Sequence, residues 1–101
     1  MEFEWDEAKN LKNIANHRLP FSIATAVFDD PKRMERYDIE HSADEDRWQT
    51  IGLAGKVLFV VYTEKRDKIR IISARVAESE ERSIYYGNSD VYPEGWYCVD
   101  P

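Results

Sequence analysis

The 101-residue chain has one cysteine, two histidines, four glycines and four prolines. Cys98 alone cannot close an internal disulfide or build a multi-cysteine metal site, which agrees with a reducing compartment. His17 and His41 have no second histidine three or four residues away, so the common zinc motifs are missing. The acids Asp44, Glu45 and Asp46 are consecutive, not spaced like a calcium loop. There is no glycine-rich phosphate loop and no nucleophile elbow. No metal or other cofactor is therefore expected. The longest apolar run, Val57–Val61, is far too short for a membrane-crossing helix. The chain does not open on a basic segment followed by an apolar one. A cytoplasmic protein without a membrane partner is the expectation.

Hydrophobic residues make up 43% of the chain and aromatics 13%. That is enough apolar material for one folded domain. The net charge is −6, from 14 basic and 20 acidic residues. The acids are concentrated: Asp38, Glu40, Asp44, Glu45 and Asp46 in one segment, Asp90, Glu94 and Asp100 in another. The remainder is mildly basic, so the global charge does not exclude a polyanion site on one face.

Met1–Trp5 alternates apolar and acidic residues and predicts a short strand. Asp6 suits the N-cap of a helix reaching His17, with Ala8, Leu11, Ile14 and Ala15 on its inward face. A second helix is predicted over Phe21–Phe28, between Pro20 and Asp29-Asp30-Pro31. Met34–Ser42, Arg47–Leu53, Lys56–Thr63 and Lys68–Ala74 then read as strands. Their short connections suit hairpins and cannot hold crossover helices. Ser79–Tyr86 reads as a last helix, with Ile84 and Tyr85 inward. The predicted fold is α+β: a short N-terminal strand, a two-helix hairpin, a four-stranded antiparallel meander and a C-terminal helix, the helices packed on one face. Val57–Val61, apolar on both sides, should be the central strand under Phe21, Val27 and Phe28. Residues 1–86 form the predicted domain, and 87–101 an aperiodic tail whose role stays open.

The segment Lys68–Arg75 is the most informative chemically. Simple alternation puts Arg70 and Arg75 on opposite faces of a strand. Arginine suits forked contacts with phosphate or carboxylate; the ordinary alternative is an ion pair with a neighbouring strand. His41, between Glu40 and Ser42, has the side chain for proton transfer near neutrality, or is a surface turn residue. Arg47 brackets the same turn, so the two side chains can meet. Tyr62, Tyr85 and Tyr86 are candidates to stack on a base or to fill the core.

Several ordered stretches resemble the BrnT family of toxins from type II toxin–antitoxin systems. They are Phe3-Glu4-Trp5-Asp6 with Lys9 and Asn10, Asn16-His17, and Ala26-Val27-Phe28-Asp29-Asp30-Pro31. They continue with Glu40-His41-Ser42, Arg47-Trp48, Gly52 and Leu58–Glu64. Arg70–Arg75 with Ala77, then Glu81-Arg82 and Tyr85, complete the set. Two departures concern caps: Arg18 replaces a glycine after the first helix, and Glu78 replaces a Thr or Ser before the last. The resemblance implies a RelE-like fold and a metal-independent endoribonuclease. It further implies neutralisation by a small DNA-binding antitoxin, BrnA, through which alone the toxin meets operator DNA. On this reading Arg47, Arg70 and Arg75 clamp phosphate, and His41 carries a proton with help from Tyr62 or Glu64. His41, Arg47 and one of Arg70 and Arg75 should then share one concave patch. The alternative is a catalytically inactive protein-binding module derived from such a toxin, favoured by the acidic balance.

Overall fold

The computed structural model describes residues 1–87 and 95–99. Residues 88–94, 100 and 101 of the expected tail lie outside the described residues. Strand β1 (Glu2–Glu4) leads into helix α1 (Glu7–His17) and the short helix α2 (Phe21–Ala24), which tightens into a 3₁₀ turn over Thr25–Asp29. Strands β2 (Met34–Tyr37), β3 (Trp48–Ala54), β4 (Lys56–Lys65) and β5 (Lys68–Val76) follow, then helix α3 (Ser79–Tyr86) and strand β6 (Tyr97–Cys98). The antiparallel meander of four strands is present, but the sheet has six, in the order β1-β5-β4-β3-β2-β6. β1 joins one edge parallel to β5, and β6 joins the other antiparallel to β2. β1 is the short N-terminal strand expected from alternation; β6, two residues long, is below what periodicity in a sequence resolves.

Strand β4 lies inside the sheet, with Val57, Leu58 and Val60 all buried. Leu58, Val60 and Tyr62 point to one side, where they pack with Phe21, Ala24, Val27 and Phe28 under the N-terminal helices. Val57 and Phe59 point to the other, where Met34, Ile51, Ala77, Ile84 and Trp96 gather under α3. The helices therefore cover both faces of the sheet, not one as expected. A strand that is apolar on both sides needs a cover on each.

Helix α1 also departs from its apolar pattern. Leu11 is 61% exposed, whereas Asn10 and Asn13 are buried. Asn13 donates through Nδ2 to the carbonyls of Leu19 and Ala74 (2.8 Å each), and its Oδ1 accepts from the Ala74 N–H (3.2 Å). It stands in for a strand along β5, beyond the short reach of β1. Asn10 accepts from the Phe21 N–H (2.9 Å) and so fixes the turn into α2. Asp6 caps α1 through the Lys9 N–H, and Arg18 ends it in the left-handed conformation (φ 55°) that favours glycine. Glu78 and Glu81 form a reciprocal capping box on α3, so glutamate serves where Thr or Ser is usual.

Gly52 on β3 lies against the 3₁₀ turn after α2. A Cβ there would sit 2.6 Å from Val27 Cγ1 and 3.2 Å from Arg33 Cβ. Val27 is fully buried and has no room to yield. Gly52→Ala should cost about 1–3 kcal/mol in a urea melt. A wild-type midpoint would show that the turn lifts off β3 without penalty.

Candidate functional site

β5 carries a bulge. Val61 pairs with Ser73 but Tyr62 pairs with Ile71, which leaves Ile72 as an extra residue. The bulge resets the alternation. Arg70, opposite Thr63, and Arg75, opposite Phe59, therefore emerge on the same face, the one α3 partly covers. The expectation of opposite faces is corrected by that single residue. Arg36, opposite Gln49 on β3, lies on this face too. The Asp38 N–H donates to the Arg47 carbonyl (2.9 Å), which extends the β2–β3 ladder one step. Arg47 thereby joins the same face in the row of Thr63 and Arg70. An acidic protein thus presents four guanidiniums on one side of its sheet.

Those guanidiniums are not equally engaged. Arg75 makes two 2.7 Å bonds to Glu81, lies 3.4 Å from Glu78 and stacks 4.4 Å over Phe59. Arg70 bonds Glu4 at 2.6 Å. Arg36 bonds Gln49 (2.8 Å) and lies 4.6 Å over Trp96. Among the described residues Arg47 has only Glu45, at 3.9 Å, and its Nε is buried without a hydrogen-bond partner. Arg47 is therefore the cation with most to gain from an arriving anion.

His41 ends a 3₁₀ turn, Ile39–His41, in a segment expected to continue β2. Asp38 caps that turn: its buried carboxylate accepts from the His41 N–H and lies 3.0 and 3.1 Å from Nδ1. The His41 side chain is 62% exposed. Ser42 Oγ donates to the Asp38 carbonyl (2.5 Å) and accepts from the Arg47 N–H (2.9 Å). The loop between is tied down by Tyr37 to the Asp46 carboxylate (2.8 Å) and Thr63 to the Asp46 carbonyl (2.6 Å). The result is a shallow hollow of about 260 Å³ lined by His41, Ala43, Asp44, Glu45 and Arg47. A second, larger groove of about 600 Å³ runs past Asp38 along the β2 edge, with Tyr37, Trp48 and Tyr97 in its walls.

The structure brings His41 and Arg47 into one hollow; contrary to expectation neither Arg70 nor Arg75 lines it, and Arg70 lies on the same sheet face. Arg75 is held under α3 by carboxylates. Tyr62 is buried on the face under α1 and α2, away from the hollow, and donates its hydroxyl to Glu35. Burial first, and then that bond, push its phenol far above the ordinary range. It cannot serve the hollow as a proton carrier. Glu64 is exposed, opposite Ile69, and by alternation points to the helix side. Tyr85 donates to Asp30 (2.6 Å). Sequence reasoning missed Asp38 and Gln49; the Asp38–His41 spacing of three residues was the available signal, since it is that of an N-cap and its turn. Among the described residues no group of three or more His, Cys, Asp or Glu is placed to hold a metal.

Three carboxylates couple this architecture to pH. Burial alone would raise Asp38, Asp30 and Glu81. Bonds from His41 and Gln49, from Tyr85 and Leu53, and from Arg75 outweigh it and hold all three below their ordinary values. A depressed folded value contributes stability above the unfolded value, 3.8 for Asp and 4.5 for Glu, and loses it as pH falls through the folded one. Urea midpoints should therefore drop between pH 5 and pH 3, and less steeply in Glu81→Gln. An equal pH slope in that variant would remove the Arg75–Glu81 pair from the account.

Guanidiniums on the α3 side of the sheet, beside the His41–Arg47 hollow, mark out a small α+β domain. Comparison with known proteins supplies the family. Residues 5–81 match the model described as ribonuclease toxin, BrnT, of type II toxin-antitoxin system, and the chain belongs to that family. Its structure is similar to the 1.1 Å crystal structure of the Brucella abortus ribonuclease toxin, BrnT, with 26% identity and a TM-score of 0.59. The match covers 78% of this chain and 99% of that one. No curated protein matches. No helix among the described residues is long and apolar enough to cross a membrane.

Proposed function

We propose that this BrnT-family chain is a metal-independent endoribonuclease acting in the cytoplasm, with its reacting centre at the His41–Arg47 hollow. The observation that carries the reading is that hollow itself: an exposed imidazole and an under-partnered guanidinium on one rigid loop. Without a metal, the RNA supplies its own nucleophile. The 2′-oxygen bonds to the adjacent phosphorus as His41 takes its proton. The bond from phosphorus to the 5′-oxygen breaks, and that oxygen takes a proton from the imidazolium or from water. The products are a 2′,3′-cyclic phosphate and a 5′-hydroxyl. Arg47 holds the charge that builds on the phosphate oxygens, and Arg70 steers the strand along the sheet. Arg75 holds α3 to the sheet. Induced expression of the chain alone should arrest growth with loss of RNA. Growth with intact RNA would favour the inactive binding module, which the carboxylate pairing of Arg70 and Arg75 supports.

The neutralising partner on this reading is a small BrnA-like, DNA-binding antitoxin. Its basic residues are steered by the acids around the hollow, Asp44 and Glu45 among them. Replacing Asp44, Glu45 and Asp46 by neutral residues should slow association at low salt by about tenfold, a difference that added salt erases. Equal rates at low salt would leave those acids with a role in solubility alone.

A further inference from the structure

Behind His41 lie three polar side chains, Asp38, Gln49 and Arg36, that the cleavage scheme leaves without a role. The Arg36 Nε and Nη2 both donate to Gln49 Oε1 (3.1 and 2.8 Å). The Gln49 amide helps hold the Asp38 carboxyl below its ordinary value. The Asp38 carboxylate, with a side chain only 5% exposed, faces His41 Nδ1 through both oxygens. An ionised carboxylate is acceptor-only. The proton of the neutral imidazole must then sit on Nδ1, and Nε2 is the nitrogen with a lone pair. The same carboxylate accepts the His41 backbone N–H, so ring and backbone are fixed to one anchor.

We propose that Asp38 is a positioning residue: it selects the Nδ1–H tautomer of His41 and so presents Nε2 as the base. The proposal rests on the reading of His41 as the proton carrier. Asp38 touches neither substrate nor the reacting phosphate; it acts through the ring. The arrangement explains why so short a 3₁₀ turn carries a buried aspartate. The outermost of the three, Arg36 against Trp96, brings in a segment that lies beyond the residues matched to the family.

Asp38→Asn is nearly isosteric and separates this role from a merely structural one. An asparagine amide donates to Nδ1, which moves the ring proton to Nε2 and blocks the base. Long-range ¹⁵N–¹H correlation spectra of the full chain read the tautomer directly. The wild type should show the neutral His41 ring as Nδ1–H, and Asp38→Asn should shift it toward Nε2–H. The same variant should lose kcat on an RNA substrate by about a hundredfold, with KM within about twofold, the size of a misplaced general base. A wild-type ring carrying its proton on Nε2 overturns the proposal, whatever the variant's folding. So does Asp38→Asn cutting at the wild-type rate while His41→Ala is inactive; in that case His41 stands and its aspartate does not. Wild-type cutting by His41→Ala instead removes His41 as the proton carrier, and the proposal with it.

Discussion

Asn13→Leu should lower the melting temperature by about 15 °C. Leucine has the same number of side-chain heavy atoms in the same branching, so no cavity opens. What is lost is a set of three hydrogen bonds, to the carbonyls of Leu19 and Ala74 and from the Ala74 N–H. These groups are buried between α1 and the bulged stretch of β5. An orphaned buried donor or acceptor costs about 1–3 kcal/mol, and a loss of about 3 kcal/mol in total shifts a domain of this size by that much. Leu11→Ala, by contrast, removes a largely exposed side chain and should move the midpoint by less than about 0.5 kcal/mol. Comparable losses at the two positions would show that α1 docks through its aliphatic stripe after all.

Arg47→Ala should reduce RNA cleavage by about a hundredfold while leaving the melting temperature close to wild type. The reasoning is the poverty of its present contacts. A 3.9 Å approach to a half-exposed Glu45 contributes little to stability. The buried, unpartnered Nε is a standing cost that an anion would relieve. Arg47→Lys should recover only part of the rate, because a point charge cannot reproduce a fork on two phosphate oxygens. Arg75→Ala should do the reverse. It leaves Glu81, with a side chain 15% exposed, without its bidentate partner, so stability falls more than the rate does. An Arg75→Ala variant that folds normally and fails to cut would move the reacting centre under α3.

Much of the fold was legible in the chain. The meander announced itself through short polar separators, β4 through apolar residues on both sides, and α3 through Ile84 and Tyr85. The reading failed where a local device overrode periodicity. One extra residue at Ile72 put Arg70 and Arg75 on a common face, and no pattern count detects a bulge. The inward face of α1 is built from amides because the β5 edge beside it needs hydrogen-bond partners more than it needs methyl groups. Strand β6 is two residues long and pairs across more than sixty positions of sequence. In the candidate site, His41 and Arg47 were visible from their bracket around one turn. Asp38 looked like one more acid in an acidic segment, and only the three-dimensional turn shows that its carboxylate is committed to His41.

The most direct test of a metal-independent ribonuclease centred on His41 and Arg47 is the chemistry of the cut ends. Purified chain is incubated with single-stranded RNA in excess EDTA, and the termini of the fragments are identified. The account predicts 2′,3′-cyclic phosphate ends, or the monophosphates they hydrolyse to, opposite 5′-hydroxyl ends, and no fragments from Arg47→Ala under the same conditions. Intact RNA from the wild-type chain in EDTA, or cleavage that leaves 5′-phosphates, would contradict it.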